Sequence, residues 1–280
     1  MKVIDFHTHI FPPDIIRQRE RYLAKDDWFR LLYGDPGSKM ATAEELVASM
    51  DGAGVDMAVV FGFAWKDPAL CQLSNDYVLE AVRSHAGRLV GYAVVNPRSS
   101  QLALREVERC MALGCQGVGE LMPDGQGYAL DEQDIMAPLL GWLDERKLPL
   151  LVHTNEPVGH DYRGKGDTTP AIVYRLALSF PQVTLICAHW GGGLLFYELM
   201  PEVRQTLANV YYDTAASLYL YDRTIFPLAE TLCRDKILFA TDYPLIGQQR
   251  FLHHVRASGL SSGALEQILG ANAERLLSRA

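Results

Sequence analysis

Eight short apolar runs recur along the chain, with longer helical patterns between them: "KVIDFH", "DMAVVFG", "RLVGYAVV", "GVGEL", "LPLLVH", "VTLICAH", "VYYDTA" and "KILFAT". Most are nearly continuous hydrophobic stretches rather than strict alternations, as expected of strands covered on both faces. The helical segments carry their own punctuation. Thr42 and Glu45 form a capping-box pattern ahead of "ELVASM", Pro68 opens "PALCQLSNDYVLEAVRSH", and "QLALREVERCMALG" ends on Gly114. "DEQDIMAPLLGWLDERK" reads as another helix, with Pro138 in its first turns. Repeated strand–helix units imply a parallel sheet with right-handed crossovers, and eight of them predict closure into an α/β fold, the (β/α)8 TIM barrel. A doubly wound open sheet would need a glycine-rich turn after the first strand, and "HTHIFPPD" is not one.

No low-complexity linker or shift in composition divides the 280 residues, so one barrel domain over 1–280 is expected. The net charge of −8 is spread along the chain, which argues against a sequence-independent grip on nucleic acid or an anionic membrane. No apolar stretch has the length of a membrane span or of a signal-peptide core. The five cysteines (Cys71, Cys110, Cys115, Cys187, Cys233) are odd in number and form no CxxC pair, so a reducing cytoplasm is the expected location.

Parallel strands of a barrel point their carboxyl ends to one rim, so the polar residues that close them can meet. His7 and His9 close the first run, Glu120 lies in the fourth, His153 ends the fifth, His189 the sixth, and Asp242 follows the eighth in "FATDYP". His7 and His9 are two apart and should share the inner face. Imidazole nitrogens and carboxylate oxygens are the ligands a zinc-like divalent ion prefers, and such an ion would offset the cost of burying two histidines side by side. Each residue alone has a plainer reading. Asp242 could cap the helix that follows, and Glu120 could pair with an arginine.

The longest irregular pieces follow the first, fourth and fifth strands and would emerge at this same rim. The fifth-strand piece contains "GHDYRGKG", which has phosphate-loop spacing but Gly166 where a hydroxyl should stand. That loop nonetheless offers Arg163, Lys165 and His160 to an acidic substrate. "HWGGGLLF" reads as a strand-to-helix turn, and Cys187, two before His189, should pack inside the barrel. Trp28, Phe63, Trp65, Trp190 and Tyr219 could line a pocket, whereas His85, His253 and His254 should lie solvated on outer helices.

"DFHTHIFPP", "LVHT", "ICAHWGG", "ILFATDYPL" and "GANAERLL", in this order, resemble the amidohydrolase superfamily, above all the amidohydrolase-related branch that includes aminocarboxymuconate semialdehyde decarboxylase. The resemblance runs from the first strand to the last helix and implies a metal-bearing barrel. It assigns metal ligands to His7, His9, His153 and Asp242. It makes His189 either a further ligand or a group that bonds the substrate or a water. Glu120 is similar to the fourth-strand acid of TatD-type deoxyribonucleases, which leaves one ion versus two open, with one favoured and zinc the expected metal.

A divalent ion lowers the pKa of a water it holds from about 15.7 to around 7. With Asp242 as proton shuttle and His189 steering the water or stabilising an oxyanion, the favoured reading is a cytoplasmic metal-dependent hydrolase. Its small-molecule substrate would be a carboxylated lactone, cyclic amide or ester. The alternative is a non-oxidative decarboxylase on the same site. A TatD-like nuclease and a non-catalytic metal-binding barrel are less favoured. Outer helices of barrels often pair, which makes a homodimer the expected assembly.

Overall fold

The computed structural model describes residues 2–278, so residues 1, 279 and 280 of the expected domain lie outside the described residues. Eight strands occur among the described residues: β1 (Ile4–His9), β2 (Met57–Phe61), β3 (Leu89–Gly91), β4 (Val118–Leu121), β5 (Leu150–Val152), β6 (Leu185–Cys187), β7 (Val210–Asp213) and β8 (Ile237–Leu238). Seven fall within their apolar runs, and β1 overlaps "KVIDFH" and runs two residues beyond it, to His9. Regular ladders join β1–β3 and β4–β8, all parallel.

Backbone hydrogen bonds cross both gaps between the ladders. Gln116 donates to the Gly91 carbonyl and Ala93 to that of Gly117, each at 2.9 Å, at the β3–β4 seam. At the β8–β1 seam Phe6 donates to Phe239 (2.8 Å), Asp242 to His7 (3.0 Å) and His9 to Tyr243 (2.7 Å). The eight strands thus run round a barrel.

Alternation along the strands sorts the buried residues into two layers. Phe6, Tyr92, Leu151, Ile186, Tyr211 and Leu238 belong to the inner cluster. Val60, Leu89, Val118, Leu150, Leu185 and Val210 belong to the outer one, together with the helix residues Leu46, Met50, Val78, Val107 and Leu143. Cys187 joins this outer layer, whereas Ile186 points inward. The backbone leaves strand geometry before His189, so Cys187 does not share its face and is not the interior residue the spacing suggested.

The helix signals act as written. Thr42 accepts from the Glu45 amide while the Glu45 carboxylate accepts from the Thr42 amide, and Asp67 caps the helix Pro68–Ser84. The helix Gln101–Ala112 is followed by Gly114 at φ +111°. Pro138 sits in the second turn of Gln133–Arg146 without ending it. The segment after β1, expected to be irregular, contains three short helices, Pro13–Arg17, Arg19–Leu23 and Asp27–Tyr33. Phe11, Phe29, Phe63 and Trp65 pack around the last of these with ring centroids 4.5–6.3 Å apart, so burial of aromatics organises what propensity alone does not.

Candidate metal centre

Two of the strands that carry candidate ligands deliver their side chains through bulges. β1 pairs Asp5 with Ala58 but Thr8 with Val60, so Phe6 and His7 together face one residue of β2. β4 pairs Val118 with Leu150 but Leu121 with Val152, so Gly119 and Glu120 together face one residue of β5. A bulge turns a side chain off the regular alternation. At Gly119 φ is +131°, and a Cβ there would lie 2.3 Å from the Leu151 carbonyl oxygen, so only glycine fits beside Glu120.

The remaining candidate ligands lie beyond their strand ends. His153 follows β5 directly, and His189 and Asp242 stand further on in left-handed backbone at φ +56° and +63°. The next helix after Asp242 begins at Gln248 with Gly247 as its cap, so Asp242 is not a helix cap. Glu120 faces four histidines and no arginine.

These six side chains converge as two groups with the donor sets of metal sites, His7–His9–Asp242 and Glu120–His153–His189. Within the first, the Nε2 atoms of His7 and His9 lie 3.2 Å apart, and His9 Nε2 lies 3.4 Å from Asp242 Oδ1. Within the second, His153 Nδ1 lies 3.0 Å from Glu120 Oε1 and 3.2 Å from His189 Nε2. Glu120 Oε2 reaches across to His7 at 3.6 Å and His9 at 3.7 Å.

The outer ring nitrogens decide what the inner ones offer. His7 Nδ1 donates to Asp213 Oδ2 (2.8 Å), His153 Nε2 to the Gly164 carbonyl (3.2 Å) and His189 Nδ1 to the Ala215 carbonyl (3.2 Å). Each neutral ring then turns a lone pair inward, onto other lone pairs and two carboxylates. Acceptors this close repel unless a cation lies among them, so the donor set fits a divalent ion.

The ionisation of the site makes the same demand. Burial would lower the His7 pKa, but the charges of Glu120, Asp213 and Asp242 outweigh it and push it up to about 10. Burial would raise Glu120, yet His7 and His153 hold it down at about 2. Asp242 also lies below the usual carboxylate range, against its burial, through His9, His7 and His189. His153 is raised by Glu120 despite its burial, and His189 is lowered by burial and by His153.

Above this floor opens a cavity of about 410 Å³. Its walls include Trp28, Leu32, Tyr33, Met122, Tyr219 and Leu220, and its rim Lys39, His160 and Arg163. Arg163 pairs with Asp35 at 3.2 Å. Lys165 turns its ammonium onto the carbonyls of Val158, Gly159 and His160, at 3.1–3.3 Å, and does not line the cavity: it braces its own loop. Phe63, Trp65 and Trp190 are fully buried, and so only Trp28 and Tyr219 of the five aromatics face the pocket. The glycines of "HWGGG" serve the turn, since a Cβ on Gly192 would strike the Asn155 carbonyl at 2.2 Å. His254 is half-buried, packed against Phe226 and Phe251 rather than solvated.

A family model described as amidohydrolase matches residues 4–279. The chain belongs to the amidohydrolase family. Solved structures with the same fold include 5-carboxyvanillate decarboxylase LigW from Sphingomonas paucimobilis, at 18% identity over 99% of each chain and a TM-score of 0.81. LigW2 from Novosphingobium aromaticivorans, solved with manganese and 3-methoxy-4-hydroxy-5-nitrobenzoic acid, matches at 18% identity over 99% of this chain and 97% of its own (TM-score 0.80). 2,6-Dihydroxybenzoate decarboxylase from Rhizobium matches at 17% over 99% of each (TM-score 0.74). At such identities the likeness is one of fold. Within this amidohydrolase barrel, sequence reasoning overlooked Asp213, Tyr33 and Lys39. Asp213 closes β7 in "VYYDTA", the same signal that singled out Asp242, whereas Tyr33 and Lys39 lie in the segment read as irregular. None of the described helices is long and apolar enough to cross a membrane.

Proposed function

We propose that the chain is a divalent-metal-dependent carboxy-lyase that releases carbon dioxide from a small ring-bearing acid. One observation carries this reading: the cavity joins a floor of six metal-ligating side chains to an aromatic and aliphatic wall and a basic rim. The decarboxylases of aromatic acids that share the fold support it. Hydrolysis of a lactone, cyclic amide or ester, which the sequence favoured, has less support than this alternative. Manganese in the LigW2 structure supports a divalent ion without favouring zinc.

His7, His9, His153, Asp242, Glu120 and His189 would hold one ion between them, because Glu120 Oε2 reaches from its own group to within 3.6 Å of His7 and 3.7 Å of His9. Such an ion, when bound, supplies positive charge against which the substrate's oxygens are held. With its Nδ1 proton on Ala215, neutral His189 presents a lone pair, which suits a ligand and not a donor to an oxyanion.

The reaction turns R–COOH into R–H and carbon dioxide: one C–C bond breaks and one C–H bond forms. The ring packs against Trp28 and Tyr33, and Arg163 and Lys39 attract acidic oxygens at the rim. Burial, with the charges of Asp242 and Glu120, raises the Tyr33 pKa, so its hydroxyl remains a donor for a ring oxygen. Asp242 is a carboxylate in the resting site, and the negative charge of an entering substrate raises its pKa, so that it can take up the acid's proton. It returns that proton to the ring carbon as the electron pair of the broken bond is released there, and carbon dioxide leaves.

Purified protein loaded with Mn²⁺ should release carbon dioxide from at least one member of a panel of hydroxylated benzoic acids. Acid release from lactones or esters without carbon dioxide would overturn the lyase reading. A metal stoichiometry of two per chain would overturn the single ion.

A further inference from the structure

Asp213 is fully buried at the end of β7, outside both ligand groups, and spends its carboxylate on three donors. Oδ2 accepts from His7 Nδ1 at 2.8 Å. Oδ1 accepts from the backbone amides of His189 at 2.9 Å and Ala215 at 3.0 Å. One oxygen thus serves a ligand from β1, and the other serves the backbone that carries a ligand from β6. The Ala215 carbonyl in turn accepts from His189 Nδ1.

We infer that Asp213 is a positioning residue that ties the two ligand groups into one centre. This rests on the metal-site reading above. Its first arm fixes the His7 tautomer: with the proton on Nδ1, Nε2 is free to coordinate, and an anionic acceptor makes that nitrogen a stronger donor than a carbonyl would. Its second arm holds His189 at φ +56°, a conformation that a non-glycine residue adopts only where its surroundings impose it. The same arm places the Ala215 amide, whose residue's carbonyl sets the His189 tautomer. The hydrogen bonds of Asp213 go to His7, His189 and Ala215 and not to His9, His153 or Asp242, so its influence passes through His7 and His189.

The two arms can be cut separately. In Asp213→Asn the side-chain oxygen can still accept from both amides, but the new NH2 faces His7 Nδ1 and drives its proton to Nε2, where coordination is blocked. In Asp213→Ala both arms are lost. The full chain, stripped with a chelator, would be titrated with Co²⁺ alone against a chromophoric competitor while its visible d–d bands are recorded. The Asn variant should bind roughly 10- to 100-fold more weakly with shifted bands, as losses of a ligand's orienting partner do. The Ala variant should bind more weakly still.

Wild-type affinity and spectrum in the Asn variant would overturn the assignment, and equal losses in the two variants would remove the second arm. A wild-type chain that takes up no Co²⁺ would instead remove the metal centre, and the role of Asp213 with it. Should neither variant fold, the Zn²⁺-loaded wild-type protein labelled with ¹⁵N-histidine decides. Nδ1-protonated, exchange-protected His7 and His189 support the tie, and an Nε2-protonated His7 refutes it.

Discussion

The two ligand groups are anchored differently. His7, His9 and Asp242 hang from the β8–β1 seam, where Asp242 donates to the His7 carbonyl and His9 to that of Tyr243, so the ligands' own backbone closes the barrel. His153 and His189 instead take their orientation from carbonyls in loops, Gly164 after β5 and Ala215 after β7. Gly164 and its neighbour Arg163 also line the cavity. The first group is therefore preset by the barrel wall, whereas the second answers to segments that meet the substrate. Glu120 spans both. An ion bound here would be held rigidly on one side, and on the other its ligands would follow the position of the loops.

The largest expected effect comes from breaking the first group at its acid. Asp242→Asn keeps an oxygen at the site but removes the proposed proton carrier, so carbon dioxide release should fall about 10³- to 10⁴-fold. Retained metal with unchanged turnover would remove Asp242 from the chemistry. Glu120→Gln strikes the link between the groups. It should weaken metal affinity roughly 100-fold, measured by chelator competition, because a buried charge among four imidazoles is lost. If affinity holds, His7, His9 and Asp242 form a complete site by themselves.

Arg163→Ala tests the loop side alone. The Arg163–Asp35 pair is exposed and screened by solvent, so the melting temperature should barely move. KM for an acidic substrate should rise about 10-fold, the equivalent of one charge-assisted contact, with metal affinity unchanged. A shift in metal affinity of comparable size would show instead that loop position feeds through Gly164 to His153.

The rigid half was the more legible one. β1 and β8 are dense apolar runs closed by histidines and an aspartate, and their covered-strand pattern locates the ligands from residue type alone. What could not be read was aim. The bulges at Phe6–His7 and Gly119–Glu120 leave no mark in hydrophobicity, and the left-handed turn at His189 broke the two-residue rule that placed Cys187 beside it. The loop half was harder still. Whether Arg163 or Lys165 faces the cavity depends on which loop carbonyls capture the lysine, a three-dimensional competition that spacing does not encode. Tyr33 was hidden because helices of five to seven residues carry too little periodicity to stand out, and Lys39 because it lies in the irregular stretch that follows them.

The smallest effect on activity is expected behind the rigid group, where Asp5 lies on β1, two residues from His7. Fully buried, it accepts from the Thr241 amide (2.9 Å), the Thr241 hydroxyl (2.6 Å) and Gln248 Nε2 (2.9 Å). Burial raises its pKa to about 6 in spite of these bonds, from an ordinary value of 3.8. A carboxyl raised on folding stabilises least when ionised: its penalty is absent below pH 3.8, grows between 3.8 and about 6, and is fully present above. At about 1.4 kcal/mol per pKa unit, the ionised form costs about 3 kcal/mol. Asp5→Asn removes that charge. Its new NH2 can donate to Gln248 Oε1, a buried oxygen with no partner, once the Gln248 amide turns over. The variant should therefore unfold later than wild type at pH 8, by about 1 to 3 kcal/mol in denaturant titrations, and show no gain at pH 4. Metal affinity and turnover should stay within about twofold, because the backbone bonds of the seam remain and the Asn oxygen can still accept from the His7 and Thr241 amides that Asp5 Oδ1 serves. A large loss of metal affinity in this variant would mean that the seam depends on the charge, and that the first group is no more preset than the second.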